Sequence, residues 1–360
     1  MSDKQDKKEL EQLTNCALCA NMCKHSCPTY LATGSETITP QKIARLILYH
    51  EKFFLDDEQG FFDVMFRSAM CGACKVHCIY DNYDLRKFIH RGRSEAFRAG
   101  MLPEETRKRV ETFTKFGNPD GERQPFQKGT GDLGYFVSCS AYKDQLLLEA
   151  MDKIITVSRG QVQQFGGADI CCGAPLYYAG DTEGFKRVAQ KIKGEIVKRK
   201  LRKVIVDCPS CMKMMTEVYH EAGVDLEVEF VHVTEFLSSL LKEGKIKFNR
   251  ADNTATFHDP CILVNDLGIS TAPREVLREL GFRIKEPVYS RDDTHCCGGL
   301  CGARIGDCSL TDKVSAMRIG ELRETAADIY VSACPTCKYI LSGVDMKDIT
   351  EIVAERIIDE

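Results

Sequence analysis

Two adjacent thiols, Cys171 and Cys172, precede Gly173 in the stretch FGGADICCGAP, and the same pattern returns as Cys296, Cys297 and Gly298. Neighbouring cysteines are poor partners for each other. A disulfide spans Cα atoms roughly 4.4 to 6.8 Å apart, whereas a trans peptide holds adjacent ones at about 3.8 Å. Side by side, they can instead hold or bridge two irons, with the glycine letting the backbone pass close to the metal group. Each pair is the middle of a quintet. Cys139, Cys171, Cys172, Cys208 and Cys211 form the first, and Cys261, Cys296, Cys297, Cys334 and Cys337 the second, at an offset of 122 to 126 residues. Five cysteines repeated at matched spacing are an internal duplication, not chance.

Seven further cysteines lie near the start. CALCANMCKHSCP gives Cys16, Cys19, Cys23 and Cys27 followed by Pro28, and CGACKVHC gives Cys71, Cys74 and Cys78. Bacterial ferredoxins use C-x2-C-x2-C-x3-C-P, in which three cysteines wrap one 4Fe-4S cube and the one before proline crosses to the other. Here both third cysteines come one residue late, and no fourth cysteine follows Cys78 closely. By the crossover logic Cys27 completes the set of Cys71, Cys74 and Cys78, leaving Cys16, Cys19 and Cys23 one ligand short. That site is then a 3Fe-4S cluster, or takes an oxygen ligand such as Asp81 or Asp84, or is absent. Zinc wants four thiolates in two pairs, so triplets with a Cys-Pro end favour iron–sulfur over zinc here. Cys301 and Cys308 fall outside the three groups and read as small buried side chains.

The totals narrow the class. In 360 residues with 43% hydrophobic content there is material for two or three domains, and a net charge of −4 gives no basic field for nucleic acid or anionic lipid. The first residues, MSDKQDKKELEQL, lack the apolar centre of a signal peptide, and no apolar run approaches the ~20 residues of a spanning helix. A cytoplasmic location follows as the expectation, with any membrane link made through a partner. Nineteen cysteines there cannot be a disulfide framework.

The elements that must position these thiols alternate. LGYFVSC and TATFHDPC are short apolar runs ending at a cysteine. KVIVDCPSC and DIYVSACPTC are β-branched runs ending in a Cys-Pro turn, and EGFKRVAQKIKGEIVKRKL and TDKVSAMRIGELRE have helical periodicity. Strand, turn, helix predicts an α/β fold: a helical ferredoxin-like domain with connector over 1–117, then duplicated α/β domains with short parallel sheets over 118–250 and 251–360. In such layers chemistry sits beyond the carboxyl ends of the strands. The connector residues Arg86, Lys87, Arg91 and Arg93 read as a solvated face.

The spacing resembles the cysteine-rich "CCG" domain of heterodisulfide reductases and of iron–sulfur subunits that accompany glycolate, lactate and glycerol-3-phosphate dehydrogenases. A ferredoxin-like segment ahead of two such domains looks like the catalytic heterodisulfide reductase subunit. The resemblance implies one noncubane 4Fe-4S cluster on each quintet, one or two cubane clusters at the N-terminal cysteines, and a disulfide split between the paired sites. Relatives usually show glycine where this chain has Cys301. Zinc at one of the repeats is the alternative.

His258 and Asp259 precede Cys261, and His295 precedes Cys296. Chemically such a histidine delivers a proton to a released thiolate; structurally it orients its turn through a hydrogen bond, which is the expectation here.

The leading reading is therefore a thiol–disulfide oxidoreductase subunit acting on small-molecule disulfides and thiols within a multi-subunit complex. The second is a relay subunit carrying electrons from a flavin-dependent dehydrogenase towards quinone or ferredoxin. The third, a zinc-stabilised interaction protein, leaves the ferredoxin segment unexplained. No glycine-rich dinucleotide fingerprint follows a strand; the resemblance, and the need for some two-electron donor to feed the clusters, imply a flavoprotein or other electron-donor subunit, and a membrane quinone-linked subunit is a further candidate partner.

Overall fold

A computed structural model of the chain describes residues 3–52, 54–80, 83–168, 170–299 and 308–358. Up to Phe116 the described residues are helical, with helices Asp3–Leu18, Pro40–Glu51, Glu58–Phe66, Leu85–Ala99 and Glu104–Phe116 as the main pieces. Beyond them, strands β1 (Gln127–Lys128), β2 (Leu133–Val137), β3 (Val162–Gly166), β4 (Lys203–Val206) and β5 (Glu229–His232) form one sheet in the order β1-β3-β2-β4-β5. Strands β6 (Thr254–His258), β7 (Arg283–Ile284), β8 (Ile329–Ser332) and β9 (Lys347–Asp348) form a second in the order β7-β6-β8-β9.

The last four strands of the first sheet are parallel and in the same spatial order as all four of the second. The cysteine duplication is thus a duplication of topology. The first sheet departs from the all-parallel expectation by one edge ribbon, β1, which pairs antiparallel to β3. In both sheets the chain leaves the first central strand to one side and returns on the other. That reversal leaves a crevice at the carboxyl ends of β2 and β4, and again of β6 and β8. Cys139 and Cys208 follow the first pair of strands, and Cys261 and Cys334 the second.

Both sheets share one apolar core. Ile205 and Val233 of the first half join Phe257, Val276 and Ile349 of the second in a single buried cluster. The connector helix Leu85–Ala99 is not a solvated basic face. Lys87 and Arg91 are exposed, but Arg86 and Arg93 are buried. The Arg93 side chain donates to the carbonyls of Met65, Ser68 and Tyr178, each at 3.0 Å, and so ties the helical region to the short helix Ala174–Ala179 that follows Cys172. Arg86 pairs with Asp84 on its own helix and, through both terminal nitrogens, with Asp266 of the second half. A stretch rich in charge looks solvated because periodicity cannot reveal carbonyls and a carboxylate arriving from 85 or 180 residues away.

Candidate metal centres

All five cysteines of the first quintet line one cavity. The local sequence explains how. Pro209 ends the strand and starts the helix Pro209–Lys213, so Cys208 becomes the N-cap and Cys211 sits in the first turn. Gly173, at φ 77°, caps the helix Ala174–Ala179 in a conformation open to glycine, which turns the chain directly after Cys171 and Cys172. The second quintet copies this. Cys334 is the N-cap of Pro335–Ile340, Cys261 opens the helix Cys261–Asn265, and Gly298 lies at φ 84°. Its sulfurs run in contact: Cys261 to Cys296 at 3.6 Å, Cys297 to Cys337 at 3.3 Å, and Cys337 to Cys334.

The two quintets adjoin. The thiols of Cys208 and Cys334 are hydrogen-bonded, and the Ser140 and Thr336 hydroxyls beside them meet at 3.0 Å.

None of the described cysteines forms a disulfide. Electrostatically the quintets are uncomfortable as bare thiols. The bond with Cys171 and burial push Cys139 well above its ordinary value, while hydrogen bonds from Cys171 and Cys211 hold Cys172 down to about 6. Cys208 is helped by Cys211, yet Cys334 and burial push it up to about 12. Five sulfurs around one cavity cannot all ionise beside each other without a cation between them, so the donor set fits an iron–sulfide core bound by thiolates.

The N-terminal cysteines divide between two cavities. Cys16, Cys19, Cys23 and Cys78 line one, Cys27 and Cys71 line the other, and Cys74 lies between, lining both. Burial, with Cys78 and Cys19 adding repulsion against the help of Tyr83, pushes Cys16 up to about 11. Cys23 rises to about 12 for the same reason, burial first and then Cys16, Cys27 and Cys78. The expectation that Cys78 joins Cys27, Cys71 and Cys74 is therefore not what the structure shows. Counting from ferredoxin spacing assigns Cys78 to its nearest cysteines in sequence, but the short helix Ala73–Val76 between Cys71 and Cys78 carries it to the other cavity. Asp84 caps its helix and binds Arg86, so it is committed away from a ligand role. Asp81 and Cys301 lie outside the described residues, and Cys308 is exposed rather than buried.

The Cys27 and Cys71 cavity abuts the second quintet. After burial, the largest influence raising the Cys71 thiol is the Cys296 sulfur, and Asn265 donates to the Cys71 carbonyl at 2.9 Å.

Around the second quintet sits a polar network that the sequence reveals only in part. His258 is fully buried, and burial followed by Arg318 drives its pKa well below 6.5. The Nδ1 atom accepts from Arg318 Nε at 3.1 Å, so the imidazole is neutral with its proton on Nε2. Proton delivery by an imidazolium is excluded at that position. His258 also lies with Cys297 and Cys337 such that one donor atom from each falls within 4.8 Å, a grouping that suits zinc by distance alone. Its lone pair is already taken by Arg318, however, and an N–H cannot ligate. His295 binds Glu321 at 2.7 Å, Glu321 binds Arg318 at 2.8 Å, and Asp259 takes both terminal nitrogens of the buried Arg274. Arg274 and Arg318 carry no sequence signal, since nothing in their helices marks a buried guanidinium.

Family models place a 4Fe-4S dicluster domain over residues 12–82 and a cysteine-rich domain, CCG, over 133–216 and again over 255–342. One component of the dihydromethanophenazine:CoB–CoM heterodisulfide reductase of Methanosarcina barkeri is 27% identical, the match covering 97% of this chain and 95% of that one. One component of the fumarate reductase (CoM/CoB) of Methanothermobacter marburgensis is 23% identical over 99% of this chain and 73% of its own length. EtfAB:quinone oxidoreductase from Syntrophomonas wolfei is 22% identical over 96% and 57%. Among solved structures, a hypothetical protein from Helicobacter pylori superposes with a TM-score of 0.61 at 9% identity, covering 89% of this chain and 68% of that one, a likeness of fold alone.

Proposed function

Because the chain belongs to the iron–sulfur oxidoreductase proteins of the heterodisulfide reductase type, which join a 4Fe-4S dicluster domain to two cysteine-rich domains, we propose that it cleaves or forms a disulfide at its paired quintets. It does so as the electron-carrying component of a larger complex. The observation that carries this reading is the contact between Cys208 and Cys334. Two five-thiolate sites that touch can each take one sulfur of a single small molecule, which two separated sites cannot.

Under this reading Cys139, Cys171, Cys172, Cys208 and Cys211 hold one 4Fe-4S group and Cys261, Cys296, Cys297, Cys334 and Cys337 the other. Cys16, Cys19, Cys23 and Cys78 would hold a third, and Cys27, Cys71 and Cys74 would serve a fourth. Bound there, such groups supply one-electron steps and iron that can take a sulfur ligand. For reduction the S–S bond breaks, two electrons arrive one at a time, and two protons from solvent end on the two product thiols. The chain's own part is placement. Cys-Pro caps and Gly173 and Gly298 fix the thiolates, and the neutral His258 is held by Arg318 with its N–H free for a sulfur.

Electrons come from a flavoprotein or similar donor protein. A quinone-linked membrane protein is a second partner under this proposal, with the chain at the cytoplasmic face of the membrane. Among the described residues no helix is long and apolar enough to cross a membrane itself.

The test is protein purified without oxygen, assayed for iron and zinc, then titrated when partly oxidised with a small disulfide while its EPR spectrum is followed. A brown, iron-loaded protein whose signals shift with the disulfide supports the proposal. Intact signals that ignore every disulfide would leave a relay between a flavoprotein and quinone, and a colourless zinc protein would defeat both.

A further inference from the structure

A second cavity opens beside the first quintet. It measures roughly 630 Å³, within the few hundred to ~1,000 Å³ typical of small-molecule sites. Five residues line both it and the cysteine cavity: Arg109, Cys139, Ser140, Pro175 and Thr336. A molecule in the larger space therefore has direct reach to the cysteines. Pro175 and Ser140 come from the first half and Thr336 from the second, whereas Arg109 comes from the helix Glu104–Phe116, outside both repeats.

The charges lining this cavity are not equivalent. Lys143 is paired with Asp120, and Lys338 with Asp144 and Glu351. Arg109 has no such partner. Its Nε is buried without a hydrogen bond, and no carboxylate pairs with the guanidinium among the described residues. A buried guanidinium nitrogen left unmatched is costly, so it marks a place where an acceptor arrives with something else. The fork geometry of arginine suits a carboxylate or phosphate, which it takes through two parallel N–H bonds.

We propose that Arg109 is the anchor for an oxyanion carried by the thiol or disulfide that occupies this cavity, holding the sulfur end towards Cys139 and Thr336. The proposal rests on the disulfide reading above and names the class of substrate: a small, negatively charged thiol or disulfide rather than a neutral or protein-borne one. Arg109 acts as a positioning residue, fixing which end of the molecule faces the cysteines. The competing role for this guanidinium is simple neutralisation of the thiolates in the first quintet. That role acts on the metal site whatever ligand is present, so the two can be told apart.

The experiment uses iron-loaded protein under anaerobic conditions and two probes of similar size, 3,3′-dithiodipropionate, a dianion, and 2-hydroxyethyl disulfide, which is neutral. Binding is measured by calorimetry and by the EPR response. The unsubstituted protein should prefer the dianion by roughly ten- to a hundredfold, the range of a charge-assisted hydrogen bond. Added salt should weaken the dianion alone. Arg109→Gln should erase the preference with the neutral probe unchanged, and Arg109→Lys should keep part of it. Equal affinity of the unsubstituted protein for both probes, or an equal loss of both in Arg109→Gln, overturns the assignment while leaving the disulfide reading standing. Binding of neither probe in any redox state overturns both. Should Arg109→Gln fail to load iron, the preference and salt dependence of the unsubstituted protein, with Arg109→Lys, decide the matter.

Discussion

Asp266 joins three parts of the molecule, and replacing it with asparagine should loosen the joint between the N-terminal cysteines and the second quintet. Its carboxylate takes Arg86 of the helical region at 2.8 and 3.0 Å and Lys213 of the first α/β half at 2.8 Å. The three side chains are 2%, 8% and 13% exposed, so little solvent screens them. Asparagine keeps the shape and removes the charge. Taking one partner from a buried ion pair costs about 3–5 kcal/mol. Asp84 still faces Arg86, at 2.6 Å, and Lys213 can turn towards water, so the lower end, about 3 kcal/mol, is the expectation.

At 1.4 kcal/mol per tenfold this is roughly a hundredfold faster local opening. Hydrogen exchange followed by mass spectrometry reads it in the helices Ala73–Val76 and Cys261–Asn265, which the Asn265–Cys71 bond holds together. The helix Gln145–Val157, packed in the shared core, serves as the internal control. The sign with pH also follows. Burial opposes ionisation of Asp266, but Arg86 and Lys213 outweigh it and hold the carboxyl below its usual value. Its contribution is therefore complete above the ordinary carboxylate range and is lost only as pH falls through the lower folded value. The variant and the parent should converge there. Exchange at the joint that rises less than about threefold, or that rises equally in the control helix, would refute the reasoning.

Cys172→Ser or Cys297→Ser should remove one set of EPR signals and leave the other, and loss of neither would show that the quintets are not the ligand sets. Gly180→Ala should destabilise by at least ~2 kcal/mol in urea titration, because φ is +91° and the new Cβ would sit 2.4 Å from the Arg93 carbonyl oxygen; a neutral result would mean that this contact between connector and first half yields easily. His90 is stacked on Tyr177 at 4.1 Å, and burial, then Arg93, lowers its pKa to about 4. Only the unfolded chain takes up its proton between pH 6.5 and 4, so the stability it permits is present above 6.5 and lost on acidification. His90→Phe should gain about 2 kcal/mol on the parent between pH 7 and 5, and a difference independent of pH would show that His90 is not held neutral.

How much of this is legible in the residues depends on whether the cause is local. Cys-Pro stops, β-branched runs and the doubled cysteine spacing are local, and they lead to the strands, the helix starts and the equivalence of the halves. Ferredoxin counting sends Cys78 to the wrong neighbours because it assumes a loop geometry that one extra residue changes. Arg86 and Arg93 look solvated because their partners lie far along the chain. Arg109 is hidden in a connector full of charge, where only the cavity distinguishes it from Arg107, which pairs with Glu111, and Lys108, which pairs with Glu104.

The same distinction between shared backbone and separate surroundings holds between the two halves. Phe136 and Val137 of the first half stand where His258 and Asp259 stand in the second, so the network through Arg318, Glu321 and Arg274 has no counterpart among the described residues of the first side. Instead the first half buries Asp207 under Tyr135 at 2.7 Å and opens its quintet to the cavity that Arg109 lines. The second half sets the His258, Arg318 and Glu321 network beside its quintet and brings Cys296 close to Cys71. The second quintet thus lies nearer the N-terminal cysteines and the first nearer the larger cavity, while the contact of Cys208 with Cys334 keeps both within reach of one small molecule. The duplication supplied two equal cradles, and what distinguishes them is the side chains packed around each rather than the cysteines themselves.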